Sequence, residues 1–410
     1  MSEHSTSRLS VVLERTATMT MRFMVTSRNV NRGLDGSGTS ICGVSHERSI
    51  DSPVAASYEY ARVLITGGYG FVGSYLADRL VALGAQVTIV DTDCAPERPS
   101  ILRNRVDVLD QISFYSADVT DSRTFRDIFA TDRFDFVFHL AASSVVEEAA
   151  QDPKKCVLVN VLGLVNLLEG VCSVPSGAPR SIVTVSTDKV YGESGNTETC
   201  EDSALNGQGV YEATKIAADV LARTYHETHR LPVSVVRPCN IFGPHDYTGM
   251  RSRLVPSALH AIYGQETPLP PVLHSGSRSH QRDYLYIDDA VNMILGVGAE
   301  PTCVGHAFNL PGCANMSTSE MLTAVIETVC DLERDRAPEL ARLVLQNGIR
   351  ESPTKRDVRV SEISTQRISG AKLLSYTGLR PTVGLAQGLR RTAESYRREL
   401  EYRKSEVHHV

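Results

Sequence analysis

One feature constrains this chain more than any other: a glycine-rich turn set between an apolar run and a helical period. Arg62-Val-Leu-Ile-Thr66 is the kind of short apolar run that forms a buried strand. Gly67-Gly-Tyr-Gly-Phe-Val-Gly73 follows at once. Apolar residues then recur at Leu76, Leu80 and Leu83, a helical spacing, and Gly84 closes that helix. A strand, a tight turn through Gly67, Gly70 and Gly73, and a helix N-terminus together make a cradle for phosphate. Phe71 and Val72 lie inside the same turn. The next expected strand starts at Gln86 and ends at Asp91. A carboxylate there can accept from both hydroxyls of a ribose and repels a 2′-phosphate. No Arg follows in Thr92-Asp93-Cys94, so the pattern favours NAD over NADP.

The alternation continues. Strands are expected over 112–115, 134–140, 181–186 and 232–237, with helices over 122–129, 156–172 and 211–229. Strands and helices alternating at this spacing predict an α/β fold, a Rossmann-type doubly wound parallel sheet over residues 61–240. Beyond residue 240 the alternation loosens. Residues 241–403 read mainly as a smaller mixed α/β C-terminal substrate domain, some of whose segments return to the sheet. It finishes with a helix over 385–402, and 404–410 read as a tail. Residues 1–60 keep no hydrophobic period and read as a disordered extension; an Arg- and Ser-rich, acid-poor stretch also reads as an organellar transit peptide.

Composition narrows the function classes. The 410 residues carry 42 Lys and Arg against 48 Asp and Glu, a net charge of 42 − 48 = −6. That is not the footprint of a nucleic-acid binder. No run approaches 18 consecutive apolar residues, so neither a membrane span nor a membrane partner is expected. The nine cysteines include no C-x-x-C pair, so no metal site is expected. A cytoplasmic enzyme is the expectation.

Two clusters carry chemistry. Tyr211 and Lys215 are four apart on an expected helix and share a face. A cation one turn from a phenol stabilises the phenolate, and Tyr211 could then act as a base. The second cluster is Val185-Ser-Thr-Asp-Lys-Val-Tyr-Gly192, at the carboxyl end of a strand, where open parallel sheets bind ligands. Thr187 can hydrogen-bond the same substrate oxygen as Tyr211. Asp188 and Lys189 are a potential acid and a potential base. Ser-Thr-Asp is also a good turn sequence, and Lys189 could be a surface charge paired to Asp188.

The G-x-x-G-x-x-G spacing and Tyr211-Glu-Ala-Thr-Lys215 resemble the extended branch of the short-chain dehydrogenase/reductase superfamily, from about Arg62 to Arg398. Asp118-Val119 resembles the segment that holds adenine there. His139-Leu140-Ala141-Ala142 resembles the one beside the cofactor's ribose and nicotinamide. Thr187-Asp188-Lys189 resembles sugar-nucleotide 4,6-dehydratases of the Thr-Asp-Lys type. The resemblance implies that Tyr211 and NAD oxidise C4 of a sugar nucleotide, that Lys189 removes the C5 proton, that Asp188 protonates the leaving C6 hydroxyl, and that hydride returns to C6. Asp188 must then be protonated, and a simple ion pair with Lys189 would defeat the assignment. The resemblance also implies that Lys215 holds the cofactor's ribose, that Asn240 and the Arg forks of Arg282 and Arg253 hold a diphosphate, and that the protein is a homodimer packing two helices per subunit. The chain has no Trp, and carries Tyr-Thr-Gly-Met at 247–250 where such enzymes often place one. An NDP-sugar epimerase or decarboxylase, or a non-catalytic dinucleotide-binding protein, are the alternatives.

Overall fold

The structure is a computed structural model. It describes residues 52–407, apart from 93–99, 175–176, 196, 247–252, 275 and 354–362. Residues 1–51 and the 247–250 stretch therefore lie outside the described residues.

The strands, in chain order, are β1 Arg62–Thr66, β2 Gln86–Asp91, β3 Ile112–Ser116, β4 Phe136–His139, β5 Ser181–Val185, β6 Val233–Pro238, β7 Asn240–Phe242, β8 Val272–His274, β9 Gln281–Tyr286, β10 Ala307–Leu310, β11 Ala314–Ser317 and β12 Arg350–Ser352. Seven form one parallel sheet in the order β10-β6-β5-β4-β1-β2-β3. Its central strands send apolar side chains to both faces because both faces are covered. In β1, Val63 and Ile65 enter one hydrophobic cluster and Leu64 the other. In β4, Phe136 and Phe138 face the first cluster and Val137 the second. Successive side chains of a strand point to opposite faces, so an unbroken apolar run is what a two-sided core requires.

β1 lies between β2 and β4. The chain therefore leaves β1 towards one edge and later returns to its other side. The carboxyl ends of β1 and β4 flank the resulting crevice, where doubly wound sheets bind ligands. Past the sixth strand, β10 rejoins the sheet beside β6, while β7, β9 and β11 form a separate three-stranded sheet and β8 pairs with β12.

Three expectations are corrected. The folded chain starts before residue 61: the helix Ser52–Tyr58 belongs to it. Tyr58 is fully buried, its ring lies 4.7 Å from that of Phe136, and its hydroxyl donates to the Leu295 carbonyl at 2.7 Å. The last helix runs over Leu385–Val407, so 404–407 are helical rather than a tail. The helix expected over 156–172 begins at Pro153 and is interrupted by a π-type turn at Leu158–Leu162. Pro153–Cys172 has a mean hydropathy of 1.7 and is long enough to cross a membrane by length and composition. Half of it is buried inside the fold, and its two asparagines are hydrogen-bonded internally, as in the core helix of a globular domain.

Candidate active site

The cofactor turn is shaped by two contacts that exclude any side chain. Gly67 has φ +70, and a Cβ there would meet the Ala141 nitrogen at 2.8 Å. At Gly73 a Cβ would come within 2.2 Å of the Gly67 carbonyl oxygen. Gly70 takes the N-cap of the helix Phe71–Ala82, so Phe71 and Val72 open that helix. Their free N–H groups and the helix dipole favour an anion. Asp91, at the end of β2, accepts from Tyr69 N at 3.1 Å and Thr92 N at 2.9 Å. The turn itself thus holds the carboxylate.

Across the crevice, Thr66 ties β1 to β4. Its hydroxyl is 2.8 Å from His139 Nδ1 and accepts from Ala141 N at 3.2 Å, while Leu140 N donates to its carbonyl at 3.1 Å. Burial, helped by the Lys215 charge, pulls His139 down to about 3, so its ring is neutral. Leu140 and Ala141 are thereby placed beside Gly67, with Ala142 next in the chain. Asp118 caps the following turn through Thr120 N at 2.8 Å, and the carbonyl of buried Val119 accepts from Asn166 Nδ2 at 2.8 Å. The cradle without side chains, the free helix N-terminus and the strand-end carboxylate fit a dinucleotide.

The second half of the site follows β5. Thr187 caps a short 3₁₀ turn, Asp188–Tyr191, by accepting from Lys189 N at 3.3 Å, and its hydroxyl donates to Asp188 Oδ1 at 3.2 Å. Asp188 is only 3% exposed. Its Oδ2 has no hydrogen-bond partner among the described residues. Burial pushes its carboxyl up to about 6, although the Lys189 and Arg282 charges pull the other way. Among the described residues no ion pair joins Asp188 to Lys189, which is half-buried.

Tyr211 opens the helix Val210–His229, with Lys215 one turn along; both are buried. The Thr187 hydroxyl favours the ionised form of the Tyr211 phenol. One expectation is reversed here. Burial holds the Tyr211 phenol above its ordinary value, and the largest charge opposing it is that of Arg253. Lys215 instead donates to the Val185 carbonyl at 2.9 Å, and burial draws it down to about 8.

The expected substrate residues stand further out. Asn240 Nδ2, on β7, donates to the Asp283 carbonyl of β9 at 3.1 Å. Arg253 Nη1 contacts both oxygens of fully buried Asp246, at 2.9 and 3.0 Å, and its guanidinium lies 5.9 Å over the Phe71 ring. Arg282 donates to the carbonyls of Gln281, Ser364 and Ile363.

The sequence reading missed Asn160. In the π-type turn, it accepts from Ser143 N at 2.8 Å and donates to the hydroxyl of Thr214, the residue before Lys215, at 3.0 Å. An amide in an apolar helical run was the available signal. Also missed was a cavity of about 420 Å³, lined by Leu273, Arg278, Met316 and Ile349, which includes none of the site residues above.

Fold and site together define a dinucleotide-binding α/β enzyme with a Tyr–Lys pair and a buried acid at the ends of its strands. The model of the NAD dependent epimerase/dehydratase family matches residues 63–310, more than half of the chain, and the chain belongs to that family and uses NAD. It is 29% identical over 337 residues to a UDP-glucose 4-epimerase of Mycolicibacterium smegmatis, covering 82% of this chain and 98% of that protein. It is 28% identical over 345 residues to a dTDP-glucose 4,6-dehydratase of Neisseria gonorrhoeae, covering 82% and 95%. Among solved structures, an epimerase from Methanothermobacter thermautotrophicus superposes with a TM-score of 0.72 at 26% identity, covering 87% of this chain and 98% of that one.

Proposed function

We propose that this protein is an NAD-dependent sugar-nucleotide 4,6-dehydratase, converting an NDP-hexose to an NDP-4-keto-6-deoxyhexose. The observation that carries the reading is Asp188. A buried carboxyl raised to about 6, with one oxygen unsatisfied and no ion pair to its neighbour, is suited to hold a proton and give it to a leaving hydroxyl. Elimination of water needs such an acid.

Gly67, Gly70, Phe71, Val72 and Gly73 would hold the pyrophosphate of NAD, Asp91 its adenosine ribose, Asp118 and Val119 its adenine, and Leu140, Ala141, Ala142, Tyr211 and Lys215 its nicotinamide half. Bound NAD+ would supply the hydride acceptor for oxidation at C4 and, once reduced, the hydride donor for C6. Tyr211, with Thr187 on the same oxygen, would take the C4 hydroxyl proton as its phenolate, which the Arg253 charge favours against the cost of burial. The ketone so formed acidifies C5–H. Lys189 would take the C5 proton, Asp188 would protonate the C6 hydroxyl as it leaves as water, and the proton held by Lys189 would return to C5 as C6 is reduced. Asn240, Arg253 and Arg282 bind the diphosphate.

A homodimer is part of the same reading. Val157, Leu158 and Leu162 are exposed on the helical run Pro153–Cys172, and Val220 on the neighbouring Tyr211 helix. Exposed apolar helix faces of this kind favour a second copy packing through both helices.

The test is mass spectrometry of the purified protein with NAD+ and, separately, CDP-glucose, dTDP-glucose, UDP-glucose, UDP-N-acetylglucosamine and GDP-mannose. Loss of one water from one of them, without net NADH, is expected. An unchanged mass with a changed sugar configuration by NMR would replace the dehydratase with an epimerase.

A further inference from the structure

The chain that carries Asp188 and Lys189 continues through Gly192, at φ +72, to Glu193 and Ser194. The Glu193 carboxylate meets a segment 171 positions away. Its Oε2 accepts from Ser364 N at 2.5 Å and Ser364 Oγ at 2.8 Å, and its Oε1 from Thr365 N at 2.9 Å and Gly195 N at 3.3 Å. Ser194 adds its hydroxyl, donating to the Thr365 carbonyl at 2.8 Å. The other side of this strap, residues 363–366, lies along β9. Gln281 N donates to Ser364 O at 2.9 Å, and Gln366 N to Gln281 O at 3.0 Å.

Arg282 is the next residue of β9, and its guanidinium closes onto the same strap. Nη1 donates to Gln281 O at 2.8 Å and Ser364 O at 3.2 Å, and Nη2 to Ile363 O. Those bonds use three of the five N–H donors of a guanidinium. Among the described residues the two left over are on Nε and Nη2, the nitrogens of one edge, the fork that takes two oxygens of a phosphate. Strap carbonyls therefore set which edge of Arg282 is available. Glu193 in turn fixes the strap: burial pushes its carboxyl up, but the donors of Ser364, Gly195 and Thr365 outweigh that and hold it below the usual carboxylate range.

We propose that Glu193 is a positioning residue for the anionic half of the substrate. It clamps strap 363–366, the strap orients Arg282, and Arg282 presents its free edge to a nucleoside diphosphate. The link runs from the turn of the buried acid to the arginine, so both ends of the substrate are registered to one loop. The inference rests on Arg282 as a diphosphate ligand, as proposed above.

Titration calorimetry tests it. CDP, dTDP, UDP and GDP are titrated into the NAD-loaded protein, and the tightest is carried to the variants. Glu193→Gln, which turns an amide N–H towards the Ser364 and Thr365 donors, is expected to weaken that diphosphate about tenfold. Arg282→Gln should weaken it at least as much. Glu193→Asp should recover part of the loss. The corresponding nucleoside without phosphates, and NAD, should bind all variants equally, and KM should rise for Glu193→Gln with kcat kept. Ser364→Ala, missing one donor, should fall between. Wild-type diphosphate affinity in Glu193→Gln and Ser364→Ala beside a loss in Arg282→Gln would overturn the proposal and leave the diphosphate reading standing. No loss in Arg282→Gln, or no diphosphate bound by the wild type, would overturn that reading and the proposal with it.

Discussion

Asp188 couples the chemistry of the site to the stability of the fold. Its carboxyl is neutral in the folded chain up to about pH 6, whereas an unfolded Asp gives up its proton near pH ~3.9. Between those two values the folded state binds the extra proton, so stability falls as pH rises through that window. The wild type should carry a cost on the order of 1–3 kcal/mol above it. Asp188→Asn should therefore melt higher than the wild type at pH 8, and that advantage should shrink towards pH 4. Equal differences at both would remove the buried carboxyl from the account. The same variant should still oxidise C4, seen as NADH absorbance, but lose water poorly. Tyr211→Phe should lose turnover by a factor of about 10³ while NAD stays bound, since one general base contributes ~10²–10⁴; unchanged turnover would take Tyr211 out of the chemistry. Thr187, Asp188, Tyr211 and Lys215 were legible because each stands in a short local string. The pairing of Arg253 with Asp246 was not, because no spacing marks it. Nor was the upward shift of Tyr211, which follows from burial and not from its neighbour at i+4.

At the level of elements, the site depends on how firmly the Tyr211 helix is fixed to the sheet. Asp219, one turn beyond Lys215, forms a two-point ion pair with Arg237 of β6, at 2.8 Å through both Nε and Nη2, and both residues are almost fully buried. Arg237 also donates to the Tyr191 hydroxyl at 2.7 Å, in the turn that holds Asp188. Helix, strand and acid turn thus share one charge cluster. Removing one partner of such a pair leaves a buried charge uncompensated. Asp219→Ala should cost about 3–5 kcal/mol of stability. Asp219→Leu combined with Arg237→Met should cost much less, by urea unfolding. Additive losses would mean that the pair is not coupled. The strands to residue 238 were readable to within a residue or two, the central ones because a buried parallel strand is a mostly apolar run. β7, β8 and β12 were not, since three residues carry no period and their partners lie far away in the chain.

For the whole molecule, the proposed dimer makes a separate claim. Leu162→Glu with Val220→Asp should halve the sedimenting mass, because burying two such charges in an apolar helix contact is unfavourable. An unchanged mass would place the subunit contact elsewhere or show that none exists. The return of β10 to the sheet has a consequence for how the chain is made. β6 ends at Pro238, but the strand that covers its outer side begins at Ala307. A ribosome needs on the order of ten seconds to supply the intervening stretch. For that time the nascent chain presents an uncovered apolar strand edge, a ready template for pairing with another chain. The moment of greatest vulnerability to chaperone capture and aggregation is thus set before synthesis ends, by the order in which the strands leave the exit tunnel.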